Sequence, residues 1–227
     1  MATGAAELDP IWTRAHALLL LGLCLVAYAV EQPLPLAVGA LLSFAGFCAR
    51  YPGVWRSRRA VPNAITLLRL LLSCVMITIL HGQRVPAAVA LVTAWAMDGI
   101  DGLLARRLAA ESEFGAHLDA EVDAFLVLAA GAELWLSGQL GAWVMIGGVL
   151  RYVYVLCLAL FPSRAGPVPR SRFARYAFGV VVLGLAFALV LPKPFDVVAA
   201  ALGTAWLGVS FLRSFWWLYG KAAASVH

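Results

Sequence analysis

Apolar runs of roughly 16 to 24 residues recur along the whole chain, each long enough to cross a bilayer as a helix. Few folds are open to such a pattern. Inside lipid, every backbone N–H and C=O must be paired within the spanning structure, as a helix does along its own length. Eight segments can be drawn, near residues 14–30, 35–49, 63–80, 86–105, 115–137, 139–161, 175–192 and 195–219, the second being the shortest. Turn chemistry separates them at "EQPLP", "HGQRVP" and "LPKPF". Composition agrees: 63% of residues are hydrophobic and 13% charged, about half the charged fraction of a soluble domain. The expected class is an all-α, polytopic helical membrane protein.

The net charge of +5 is no sign of nucleic-acid binding, and no nucleic-acid partner is expected, because the basic residues fall in short loops where they set topology. "ARYPGVWRSRR" holds Arg50, Arg56, Arg58 and Arg59, and "SRAGPVPRSRFAR" holds Arg164, Arg170, Arg172 and Arg175. Lys221 follows the last segment, while the loops of the opposite side hold only Arg84 and Lys193. Alternation over eight spans then places both termini, and the loop at 106–114, in the cytoplasm. The first segment is read as a retained helix, since Glu7 and Asp9 precede it where a signal peptide needs positive charge. Cys24, Cys48, Cys74 and Cys157 lie singly in apolar runs and read as small packing residues. The basic stretch 50–62 is the one organisational seam, dividing an N-terminal helix pair, residues 1–60, from residues 61–220.

One corner breaks the apolar pattern. "DGIDGLLARRLAAESEFGAHLDAEVD", residues 98–123, carries seven of the chain's twelve carboxylates. At helical pitch Asp98, Asp101, Gly102 and Ala105 share one face, and Asp119 and Asp123, four apart, share a face of the next helix. A short connection makes the two helices antiparallel neighbours, so four carboxylates converge near the cytoplasmic end. Bare, they would repel and take up protons. Two divalent cations, Mg2+ or Mn2+, relieve that, and carboxylate oxygens are the ligands these ions prefer. Such a pair is a clamp for a phosphoryl or diphosphate group. Gly102 and Ala105 would let a bulky ligand pass close to the helix, and Arg106 would pair with a phosphate.

The spacing D-x2-D-G-x2-A-R-x8-G-x3-D-x3-D, complete here from Asp98 through Gly115 to Asp123, resembles the signature of the CDP-alcohol phosphotransferases. "PNAITLLRL", residues 62–70, resembles the opening of that family's first core helix. The resemblance covers about residues 61–220 and implies a six-helix core with two further N-terminal transmembrane helices. It also implies transfer of a substituted phosphate from a CDP-linked donor, often CDP-diacylglycerol, to a small alcohol. The alcohol oxygen attacks the phosphorus distal to cytidine and CMP leaves. Asp98, Asp101 and Asp119 would be the principal ligands of two divalent cations, with Asp123 completing the site and acting as base. Gly102 and Ala105 would border the cytidine. Asn63 and Thr66, one helical turn apart, could touch the nucleotide or serve only as caps, and the resemblance favours the nucleotide. Membrane lipid is a partner, and a homodimer is expected.

The chain departs from the family at the acceptor. Members using glycerol phosphate tend to read "LDPxADK" and several using serine or inositol "LDSxxD", whereas this chain reads "LDAEVDAF". The acceptor is left open. Glu121 lies about 200° around the helix from Asp119 and should pair with an arginine elsewhere. Arg69, Arg151 and Arg213 lie in or near spans, where an arginine marks function or a buried pair. Arg69 and Arg151 are candidates for an anionic acceptor, and Arg151 could equally neutralise Glu121. A divalent-cation or proton-coupled transporter is the rival reading. It requires carboxylates near the membrane midplane on broken helices. The topology is checked by cysteine labelling of intact cells in a background without the native thiols. Cysteine at position 83, replacing Gln83, is expected to label from outside, and cysteine at position 112, replacing Ser112, is not.

Overall fold

The structure, a computed structural model, describes residues 9–161 and 172–220. Both termini, Lys221, Arg164 and Arg170 lie outside the described residues. Eight α-helices follow one another: α1 (Pro10–Val30), α2 (Leu34–Ala49), α3 (Ala60–Thr78), α4 (Arg84–Arg107), α5 (Glu113–Leu136), α6 (Ile146–Leu160), α7 (Arg172–Val190) and α8 (Phe195–Phe215). One π-helical turn, Trp216–Gly220, continues α8, and a 3-10 turn, Ala142–Met145, leads into α6. No strand occurs among the described residues. The all-α class follows, and each expected segment is a helix.

Two details differ from the expectation. Helix α4 runs on through Arg107, so the connection to α5 is only residues 108–112. Among the described residues, five helical segments, rather than eight, are long and apolar enough to cross a membrane by length and composition: Pro10–Val30, Ala60–Thr78, Arg84–Arg107, Ala142–Leu160 and Phe195–Tyr219. Leu34–Ala49 is apolar but shorter. Helix α5 falls outside that set because Glu113, Asp119, Glu121, Asp123 and Glu133 lower its hydropathy. It is nonetheless the central helix. Every residue from Val122 to Leu134 except Asp123 is buried, because α3, α6 and α7 pack around it. A stretch buried on all sides belongs in the middle of a bundle.

Contacts at the two ends fix an alternating layout. At one end Asp9 caps α1, accepting from the Trp12 N–H at 3.0 Å, and pairs with Arg50 beyond α2 at 2.6 Å. Those two interactions, the backbone bond first, hold its carboxyl below the usual range. The start of α3 meets the start of α5 at the same end, where Asn63 faces Gly115. At the other end, buried Glu133 of α5 accepts from the Gly82 N–H at 2.8 Å and holds His81 Nδ1 at 2.7 Å. This ties the α3–α4 turn to α5.

The N-terminal pair packs on the core. Phe47 of α2 stacks on Phe114 of α5 with centroids 5.0 Å apart, and Trp12 Nε1–H donates to Ser43 O at 3.2 Å. Small residues set the closest helix approaches, as membrane bundles require. A Cβ on Gly148 of α6 would stand 2.3 Å from Leu128 Cα of α5, and one on Gly184 of α7 would stand 2.7 Å from Ala199 O of α8. Gly208, by contrast, has nothing within 4 Å. Gly148→Ala must push α5 and α6 apart and is expected to cost about 1 to 3 kcal/mol. Gly208→Ala is expected to leave thermal unfolding in detergent unchanged or slightly raised.

Candidate active site

The site forms where α4 ends and α5 begins, and its centre is an arginine from a third helix. Asp98 and Asp101 sit in the last turns of α4, and Asp119 and Asp123 in the early turns of α5. Despite their short connection, α4 and α5 touch only sparsely, and each packs on α3 instead. Four like charges cannot face each other across a tight helix pair, so a cation-bearing helix lies between. Arg69 of α3 is fully buried. Its Nη1 lies 3.3 Å from Asp98 Oδ1, 3.1 Å from Asp101 Oδ2 and 2.5 Å from Asp119 Oδ1, and its Nη2 donates to Asp123 Oδ1. Its Nε–H donates to Ala94 O of α4 at 3.0 Å.

Five α-helical positions thus meet through one guanidinium, as α5's i, i+4 pair and α4's i, i+3 pair turn toward α3. One cation among four carboxylates leaves a formal excess of three negative charges, which suits divalent cations. Ligand oxygens of Asp98, Asp119 and Asp123 all lie within 4.8 Å of one another, a spacing that one ion could bridge. The Asp98 and Asp119 side chains are 37% and 36% exposed, whereas that of Asp101 is 7% exposed. The site therefore has a buried floor at Arg69 and Asp101 and an open mouth at Asp98 and Asp119.

The remaining motif residues surround this mouth. Thr66 Oγ1 lies 3.2 Å from Asp101 Oδ2 and equally far from Pro62 O, its own helix's carbonyl. Asn63 is buried, and its Nδ2 finds no partner among the described residues. A Cβ on Gly115 would come within 2.8 Å of Asn63 Oδ1, which explains the glycine: α3 and α5 need that space. A Cβ on Gly102 would meet only the Arg106 guanidinium, 3.4 Å away, so this face is open. Ala105 is half-buried and Arg106 exposed on the following turn.

The two arginines expected as acceptor contacts both have carboxylate partners in the structure. Arg69 is engaged by all four aspartates. Arg151 of α6 pairs with Glu121 at 2.5 Å, the second of the two roles open to it from sequence. Glu121 itself faces away from the aspartates, as its 200° offset requires. Arg213 stacks over Phe173 at 4.6 Å. On the same side of α5 as Glu121, His117 Nε2 lies 3.1 Å from Thr13 Oγ1 of α1. His16 Nδ1 lies 2.8 Å from Ser43 Oγ. Helix α5 therefore has two polar faces, aspartates toward α3 and His117 with Glu121 toward α1 and α6. Sequence reading placed Glu121 on this second face but missed His117 and the Glu133–His81 tie. The signal for both was present as charged or imidazole groups inside otherwise apolar spans.

The family profile described as CDP-alcohol phosphatidyltransferase matches residues 59–216, and the chain belongs to that family. It is 35% identical over 146 residues to a probable phosphatidylglycerophosphate synthase of Mycobacterium tuberculosis, covering 60% of this chain and 69% of the relative. It is 30% identical over 181 residues to a CDP-diacylglycerol–glycerol-3-phosphate 3-phosphatidyltransferase of Pseudomonas fluorescens, covering 69% and 90%. It is also 33% identical over 115 residues to a CDP-diacylglycerol–serine O-phosphatidyltransferase of M. tuberculosis, covering 48% of this chain and 40% of the relative. No solved structure matches the chain. The chain is an integral membrane transferase of phospholipid biosynthesis, acting on a CDP-linked donor and an alcohol acceptor.

Arg151→Ala separates its two roles. Leaving buried Glu121 unpaired is expected to cost roughly 3 to 5 kcal/mol, read as a lower unfolding temperature, with Arg151→Ala/Glu121→Ala recovering much of it. A stable Arg151→Ala protein whose acceptor KM rises about 10- to 100-fold would instead mark an acceptor contact.

Proposed function

We propose that the chain moves a phosphatidyl group from CDP-diacylglycerol to a small alcohol, releasing CMP. The observation that carries this reading is the convergence of four carboxylates at an open helix-end site, three of them with ligand oxygens close enough to share an ion. Asp98, Asp101, Asp119 and Asp123 would hold two divalent cations, Mg2+ or Mn2+. When bound, the cations neutralise the donor diphosphate and polarise its phosphorus. Asp123 Oδ1 is held by Arg69, which leaves Oδ2 to accept the acceptor's hydroxyl proton as the alcohol oxygen bonds to phosphorus. The phosphorus–oxygen bond to CMP breaks, and CMP leaves with that electron pair. Positioning and charge stabilisation supply most of the rate in such transfers.

Gly102 and Ala105 would border the cytidine, on the one face of α4 where added bulk meets only Arg106. Arg106, exposed and in no ion pair among the described residues, would hold a donor phosphate. Asn63 has an unpartnered buried amide to offer the nucleotide. Thr66 would orient Asp101 beside it. An anionic acceptor would share Arg151 with Glu121, or Arg69 with the aspartates. The relatives' names include glycerol 3-phosphate and serine as acceptors, and this chain's "LDAEVDAF" matches neither habit of the family. We take residues 61–220 as the catalytic unit and residues 1–60 as an extension that braces the far face of α5. The assembly reading, a homodimer in a bacterial inner membrane with site and termini facing the cytoplasm, rests on the family resemblance and the loop charges. Helices α3, α4 and α5 run unbroken past the cluster, at one end of the bundle, which favours transfer over the transporter reading.

Purified protein given CDP-diacylglycerol and a panel of alcohols, glycerol 3-phosphate and serine among them, is expected to release CMP only with Mg2+ or Mn2+. Full activity in a chelator would contradict the reading. Asp98→Asn and Asp119→Asn are each expected to cut turnover by about 100-fold or more in a folded protein.

A further inference from the structure

The Arg69 guanidinium has an arrangement that an ordinary buried ion pair does not need. It contacts four carboxylates on two helices that scarcely touch each other. Its Nε is tethered to the α4 backbone at Ala94 O, so the side chain cannot follow the aspartates outward. It meets Oδ1 of Asp98, Asp119 and Asp123, and no other hydrogen bond among the described residues claims the second oxygens of these three. These are the same three residues whose oxygens could share an ion. Asp101, whose contacting oxygen also meets Thr66, lies deepest.

We propose that Arg69 is a positioning residue, a permanent cationic floor that gathers the carboxylates of α4 and α5 before divalent cations enter at the mouth and stays in place once they are bound. The inference deepens the proposed metal-dependent function and rests on it. A planar fork with a separate Nε suits the task. One nitrogen anchors to the backbone while two others face outward, which a lysine ammonium cannot do. Without the arginine, four carboxylates would be left in a largely buried site with no cation until a metal arrived. Folding would then lean on the metal, because a ligand that binds only the native state stabilises it by mass action. A side chain that merely packs would instead lower stability by the same amount with and without metal.

The test compares wild type, Arg69→Gln and Arg69→Lys in detergent, measuring thermal unfolding in chelator and in saturating Mn2+, with bound Mn2+ counted by its electron paramagnetic resonance signal. Wild type is expected to bind Mn2+ and to gain a few degrees from it. Arg69→Gln is expected to be much less stable in chelator and to be restored by Mn2+, with a gain of about 10 °C or more. Arg69→Lys, which keeps the charge but not the fork, should fall between. Equal Mn2+ gains in all three proteins would overturn the inference while leaving the metal site standing. No Mn2+ signal with wild type would overturn the metal reading and this inference with it. If Arg69→Gln does not accumulate, Arg69→Lys decides: a gain larger than wild type supports the floor, and an equal gain overturns it.

Discussion

Four aspartates around one arginine govern the rest of this bundle. Bringing four carboxylates into a membrane protein is opposed by desolvation and by their mutual repulsion. Arg69 offsets part of both, and its demands are visible in the surrounding packing. Helix α3 must lie between α4 and α5 so that its guanidinium can reach each of them. Gly115 must lack a side chain so that α3 and α5 can meet beside Asn63. The three helices are then close at the site, while residues 108–112 let α4 and α5 diverge.

Helix α5 carries the largest conflict and the most support. Its outward half is acidic and its inner half is surrounded by other helices, so it cannot move without opening the core. Its two buried glutamates each have a partner among the neighbouring helices and turns: Glu121 has Arg151, and Glu133 has His81 and the Gly82 N–H. Ser112 caps its start by accepting from the Gly115 N–H at 3.0 Å, a standard way to satisfy an exposed helix terminus. Thr13 of α1 meets His117 on the far side. The N-terminal pair, which lies outside the matched profile of residues 59–216, therefore braces the helix that bears Asp119 and Asp123.

The chemistry open to such a site follows from its shape. A buried positive floor, a ring of acceptor oxygens and an exposed mouth at the end of two helices suit a cation-bound diphosphate arriving from the aqueous side. Catalysis of this kind asks for fixed charges more than for a reactive nucleophile. That fits a site built almost wholly from aspartates.

Much was legible in the sequence because lipid leaves so few choices. Long apolar runs gave the eight helices, most boundaries within a few residues but α6 starting seven residues late, and the 3.6-residue period alone put Asp98 with Asp101 and Asp119 with Asp123. The acidic spacing carried the family. What sequence could not assign was partnership between distant helices. That Arg151 meets Glu121, and that Arg69 meets all four aspartates, depended on how α3 and α6 rotate about their axes. Rotation is set by close approaches such as Gly148 against Leu128 and by the space between α4 and α5. Local patterns decide which face of a helix is polar. Only the packed bundle decides which neighbour that face meets, because a charge in a low-dielectric interior takes the partner that geometry brings within reach.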